Sequence, residues 1–385
     1  MRSFAVSAFL SITCFLTACQ AQHDAAEKAP VQKAKVLDSL HANDTALFLA
    51  GMPGRAESQY KALEADPAWQ EHSKNMEALW DKFEAGRQPA MQKFAQSELA
   101  QSAQRTVWYP FSGADALTML TFFPNRTTYV MAALEPPGLV PEPAQFTTET
   151  LGTMLPGIAG TLQSLLQKSF FVTKEMDQQL RGQVTDGVTE PILILLARSG
   201  YQINGFEYVQ IDEQGKLEHR VPGPKRSAFG LNRGIRFDIE AVQGGRKASL
   251  YYISLNLDDA HMKNNPAFRR YITSLGQTDT LLKATSYMLH SENFNLIRSL
   301  ILDASGTILQ DDSGIPWKYF AAGPWQVQLY GDYVQPYGKS FQFRTQPDLR
   351  DAYASHKDTV KPLGFRIGYG AGKVPSNLQV ARRRS

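Results

Sequence analysis

Cysteine is nearly absent from this 385-residue chain, which holds only Cys14 and Cys19, both close to the N-terminus. The rest of the protein has no thiol, which excludes disulfides, cysteine-based zinc sites, iron–sulfur clusters and a thiol nucleophile there. A body of this length without covalent staples depends on its core. The composition permits one, since 43% of residues are hydrophobic and 11% aromatic. Charge of one sign is scarce as well: the formal net charge is +3, falls to +2 without Arg2, and mixes both signs along the chain. No basic footprint for nucleic acid follows from that pattern. Also missing are a phosphate-binding loop, a Gly-x-Gly-x-x-Gly after a strand, a His-Glu-x-x-His and a Gly-x-Ser-x-Gly elbow, so no cofactor is expected. No apolar run reaches the roughly 18 residues that span a bilayer.

The N-terminus is the most distinctive part of what is present. Arg2 supplies a short positive start, Phe4 to Phe15 an apolar stretch, and Leu16-Thr17-Ala18-Cys19 a small-residue close. This segment resembles a bacterial lipoprotein signal peptide with its lipobox. The resemblance implies thioether lipidation of Cys19, cleavage before it, and a mature chain held on a membrane by acyl chains; the alternative is an ordinary secretory signal cut after Ala18. Gln20 stands where an aspartate would, by resemblance to lipoprotein sorting rules, favour the inner membrane, so the outer membrane is expected.

Residues 1–18 read as the signal, 19–34 as a flexible polar tether, 35–105 as a helical region, 106–371 as an α+β core and 372–385 as a basic disordered tail ending in Arg382-Arg383-Arg384. In the helical region Trp69, Met76, Leu79, Trp80 and Phe83 recur near helical spacing. Within the core, 116–123 reads as a helix and 127–134 as a buried strand. Residues 147–170 and 173–199 have helical patterns. Residues 201–211 open one hairpin, and strict alternation over 235–240 with the turn at 243–246 opens another. Helices over 267–275 and 294–302 and strands over 306–310, 325–330 and 365–369 complete the expectation. The fold class is therefore α+β: an N-terminal helical layer followed by a mixed or antiparallel sheet with packed helices.

Two segments set turn residues among aromatics, Trp108-Tyr109-Pro110-Phe111-Ser112-Gly113-Ala114-Asp115 and Gln310-Asp311-Asp312-Ser313-Gly314-Ile315-Pro316-Trp317. With Phe122-Phe123-Pro124-Asn125 they resemble a family of bacterial envelope lipoproteins that carry Tyr-Pro-Phe-Ser-Gly-x-Asp, Phe-Phe-Pro-Asn and Gln-Asp-Asp-Ser-Gly-Ile-Pro segments. The resemblance covers most of residues 45–370 and implies no activity.

Read by their chemistry, these segments offer few candidates. Ser112 with Asp115 three residues on has capping spacing; alternatively Ser112 is a nucleophile, with His290 as base and Asp311 or Asp312 as orienting carboxylate. Asp311 and Asp312 suit a turn that bonds its own backbone, or an acid–base pair. Asp259 and His261 would share a strand face but lack a third metal ligand. His290 follows an apolar stretch, where a hydrogen-bonded core histidine is usual. The aromatics Trp317, Tyr319, Trp325, Tyr330, Tyr333 and Tyr337 fit core packing or an exposed platform for a glycan or peptide. The expected function is a membrane-anchored envelope lipoprotein that binds a protein, glycan or other ligand, with a hydrolase of envelope esters, peptides or glycans as the alternative. The two aromatic and polar segments are expected to meet at one end of the sheet.

Overall fold

The structure, a computed structural model, describes residues 39–169, 187–220, 230–333, 336, 339–370 and 376–384. The signal, Cys19, the tether, most of the helix expected over 173–199 and Tyr337 lie outside the described residues. In chain order the elements are α1 (Ser39–Leu49), α2 (Pro67–Ala85), α3 (Gln88–Phe94), β1 (Thr106–Pro110), α4 (Ala116–Phe122), β2 (Thr128–Ala133), α5 (Thr148–Lys168), α6 (Thr189–Arg198), β3 (Tyr201–Ile211) and β4 (Leu217–His219). There follow β5 (Arg233–Ala241), β6 (Lys247–Ser254), α7 (Asp259–Lys263), α8 (Pro266–Ser274), β7 (Thr278–Leu282), α9 (Asn295–Ala304), β8 (Ser305–Gln310), α10 (Lys318–Ala321), β9 (Trp325–Gly331), α11 (Pro347–Ser355) and β10 (Asn377–Arg383).

The strands form one ten-stranded mixed sheet in the order β4-β3-β5-β6-β2-β1-β7-β8-β10-β9. Its five central strands, β6-β2-β1-β7-β8, run parallel. Antiparallel strands extend it on both sides, β5, β3 and β4 on one and β10 and β9 on the other. The α+β class with packed helices holds.

Alternation along the central strands sends side chains to two cores. Val107, Tyr109, Tyr129 and Met131 join the helices α1 to α6 on one face, while Trp108, Val130 and Ala132 join α8 and α9 on the other. Burial on both faces is what a parallel sheet requires. The helical region and the sheet belong to one compact unit, Val36–Ser385.

Three expectations need correction. Over its described residues the basic tail is not disordered: Asn377–Arg383 is an interior strand between β8 and β9, with Leu378, Val380 and Ala381 buried. Its arginines are held as well, Arg382 donating to the Glu98 carbonyl and Arg383 to those of Leu302 and Ser305. The strand expected at 365–369 is absent, because Gly368 turns into the left-handed region (φ +57°) and opens a single 3₁₀ turn, Gly368–Gly370. Asp259 and His261 sit on the short helix α7 rather than a strand: Asp258 caps it and pairs with His261 at 2.8 Å, while Asp259 accepts from the Leu296 amide.

Where α6 meets α5, the carboxyl group of Glu190 is buried beside a cavity of about 10 Å³ lined by Ile158, Thr161, Leu162 and Ile194, and its Oε1 has no partner among the described residues. That space has room for one water at most. Burial alone pushes the Glu190 acid up to about 8. The folded protein thus holds a proton that the unfolded chain releases near its ordinary value, so this contribution to stability is full below about pH 4.5 and is lost as pH rises toward 8. Glu190→Gln is expected to flatten that decline and to be the more stable protein at pH 8.5 by roughly 1–3 kcal/mol in denaturant titrations. Parallel stability–pH curves for the two proteins would contradict the assignment.

Candidate functional site

The chain leaves β1 toward β2 on one side and leaves β7 toward β8 on the other, so the sheet's connections diverge between β1 and β7. In an open parallel sheet, that divergence opens a crevice at the carboxyl ends of the strands. Both sequence-nominated segments end there. Asp115 follows β1 and Asp311-Asp312 follow β8, with β7 between them. At about 4.8 Å per strand step they start roughly 10 Å apart, and the segment after β7 joins them.

The centre of the cluster is a residue that no motif marks. Lys283, the first residue past β7, is buried and its ammonium pairs with Asp115, itself buried; it also donates to Thr118 Oγ1 at 2.9 Å. Asp115 additionally accepts from the Tyr109 hydroxyl at 3.1 Å and from the Thr118 amide at 3.1 Å, which makes Asp115 the N-cap of α4. The cap is therefore Asp115 and not Ser112, whose hydroxyl donates to the Gly113 carbonyl. Burial holds the Lys283 amine below the usual lysine range, with Asp115 opposing that shift, and the Tyr109 phenol well above its ordinary value. A buried pair is stable only when such added hydrogen bonds offset desolvation.

On the other side, Asp311 accepts from the backbone amides of Ala284 (2.9 Å) and Ser313 (3.0 Å), and Asp312 accepts from the Tyr287 hydroxyl (2.7 Å) and the Asn377 side-chain Nδ2 (3.2 Å). The expected aspartate turn is thus present, and it also clamps the segment after β7. Burial raises both acids, and the charge of Asp311 helps push Asp312 up to about 7. Gly368 lies so close to Asp311 that a Cβ there would overlap its carboxylate.

The clamped segment is bent into conformations that side chains avoid. Ala284 (φ +51°), Ser286 (φ +54°) and Tyr287 (φ +54°) are all left-handed, as is Phe111 (φ +60°) after β1. Each costs of order 1 kcal/mol. At the surface, the exposed Ser286 and the half-buried Tyr369 share a hydrogen bond (3.2 Å), and Tyr369 also donates to the Ala284 carbonyl at 3.1 Å. The Tyr369 ring stacks on Tyr287 at 5.8 Å.

His290 does not join a triad. It ends a 3₁₀ turn, lies edge-on to Tyr287, and its Nε2 has no hydrogen-bond partner among the described residues. Burial, then the charge of Arg344, pushes it down to about 4. No hydrogen bond among the described residues links it to Ser112, and the carboxylates of Asp311 and Asp312 are engaged by other donors. Among the described residues, no group of three or more His, Cys, Asp or Glu side chains could hold a metal ion. Of the aromatic platform, Trp325 and Tyr330 are core residues. No protein-family model matches the chain, and no curated protein sequence matches it significantly.

Proposed function

We propose that this chain is an envelope lipoprotein, anchored in the outer membrane through acyl groups on Cys19, whose α+β domain binds a ligand at the carboxyl ends of β1, β7 and β8. The observation that carries the binding reading is the run of left-handed, non-glycine residues at Ala284, Ser286 and Tyr287, held between buried Asp115–Lys283 and Asp311–Asp312 groups. Such strain persists only where surrounding contacts over-determine it, and it collects at ligand clamps. The position, at the divergence of a parallel sheet, supports the same reading. Among the described residues no helix is long and apolar enough to cross a membrane. Attachment through lipid, which adds about 0.8 kcal/mol per buried CH₂, accounts for membrane residence without one. Among the described residues no hydrogen bonds join Ser112, His290 and Asp311 or Asp312, so the hydrolase reading lacks that support.

Cys19→Ser is expected to move the protein from the detergent-rich phase to the aqueous phase in a Triton X-114 separation, and a variant that stays in detergent with its signal removed would overturn the anchor. For the site, a panel of small polar fragments screened by amide chemical-shift mapping is expected to give hits that move Ala284, Ser286 and Tyr369, and Asp311→Asn to abolish them. Hits confined to other faces, or unaffected by Asp311→Asn, would remove this site from consideration.

A further inference from the structure

Beside the cluster lies a cavity of about 440 Å³, within the size range of small-molecule sites, between the C-terminal end of α2, the last turns of α5 and the segment at Phe365. Its walls divide by chemistry. Leu79, Phe83, Leu166 and Phe365 give an apolar surface, and Lys82, Arg87 and Arg366 are its charged residues, with no carboxylate among those lining it. Lys82 and Arg366 have no ion-pair or hydrogen-bond partner among the described residues. Arg87 lies over the Phe83 ring at 5.4 Å and donates to the Leu166 carbonyl at 3.0 Å, yet its Nε is buried without a partner.

The ends of α2 and α5 bring partial negative charge that offsets part of this excess. Two features are left over: the Arg87 Nε donor, and Arg366, which belongs to neither helix. A buried guanidinium donor with no acceptor costs free energy that an incoming anion would recover. The field of Asp115 acts on Arg87, and Arg87 in turn opposes the charge on Lys283, so occupancy of the cavity would be felt at the clamp.

We propose that this cavity takes an amphiphilic anion, a carboxylate or phosphate on an acyl or similarly apolar body, with the headgroup on Arg87, Arg366 and Lys82 and the body against Leu79, Phe83, Leu166 and Phe365. This goes beyond the site at the turn after β7, none of whose residues line the cavity, and adds a second site with a ligand of stated class. Either a free fatty acid or a lipid phosphate carries the required chemistry.

Calorimetric titration of the folded domain with octanoate, octyl phosphate, octyl glucoside and acetate tests it. Saturable binding of octanoate or octyl phosphate is expected, at least about tenfold tighter than acetate or octyl glucoside; the tighter of the two anions identifies the headgroup. The double variant Lys82→Gln/Arg366→Gln alters exposed side chains, so it leaves the fold intact, and it is expected to weaken that binding about tenfold or more. Octyl glucoside binding as tightly would show a merely apolar cavity, and acetate binding as tightly a bare anion site. Either result, an unaffected variant, or no binding by the two amphiphilic anions would overturn the proposal. If polar fragments still perturb Ser286 and Tyr369 in that event, the site at the turn after β7 stands and only the cavity site falls.

Discussion

The ion pair between Lys283 and Asp115 is the contact on which this end of the molecule depends. Both groups are buried, and removing water from two charges costs several kcal/mol per ion unless geometry and added hydrogen bonds compensate. The compensation comes from Tyr109, Thr118 and the first turn of α4. One interaction thus ties β1, β7 and the helix after β1 together where the sheet's connections diverge. It also fixes where the chain emerges from β7, and the next residues enter left-handed conformations at once.

The acidic side completes the clamp. Asp311 receives the Ala284 amide, Ser313 Oγ accepts from the Thr285 amide, and Asp312 receives the Tyr287 hydroxyl, so the strained residues are held from β8 while Lys283 holds their start from β1. Placing Asp311 and Asp312 together in a dry site raises both acids, Asp312 to about 7. The clamp therefore carries charge that is sensitive near neutral pH, and the field of Asp115 extends to the cation-lined cavity at Arg87.

Much of this architecture is legible in the sequence, and the exceptions have physical causes. Apolar alternation locates β5 and β6, the buried run 127–134 locates β2, and helical spacing from Trp69 to Phe83 locates α2. Strand β7, Thr-Asp-Thr-Leu-Leu, leaves little trace, because its polar residues are buried with partners elsewhere in the chain: Asp279 takes Arg126 at 2.7 Å and Thr280 takes Ser305 at 2.7 Å. Strand β10 is masked by its arginines, whose guanidiniums reach carbonyl groups of other elements. The site was half legible for the same reason. Turn chemistry marks Asp115, Asp311 and Asp312, whereas Lys283, Tyr287 and Tyr369 matter only through contacts remote in sequence, and a lone lysine has no spacing by which to be found.

The buried charge pair of Asp115 and Lys283 holds the strained turn after β7 in place. Amide hydrogen exchange on Lys283→Met, with Asp115→Asn as its counterpart, tests this directly. The amides of Ala284, Thr285, Ser286 and Tyr287 are expected to lose at least about tenfold more protection than those of β5 and β6 in both variants. A uniform loss across the sheet, or unchanged exchange at 284–287, would contradict it.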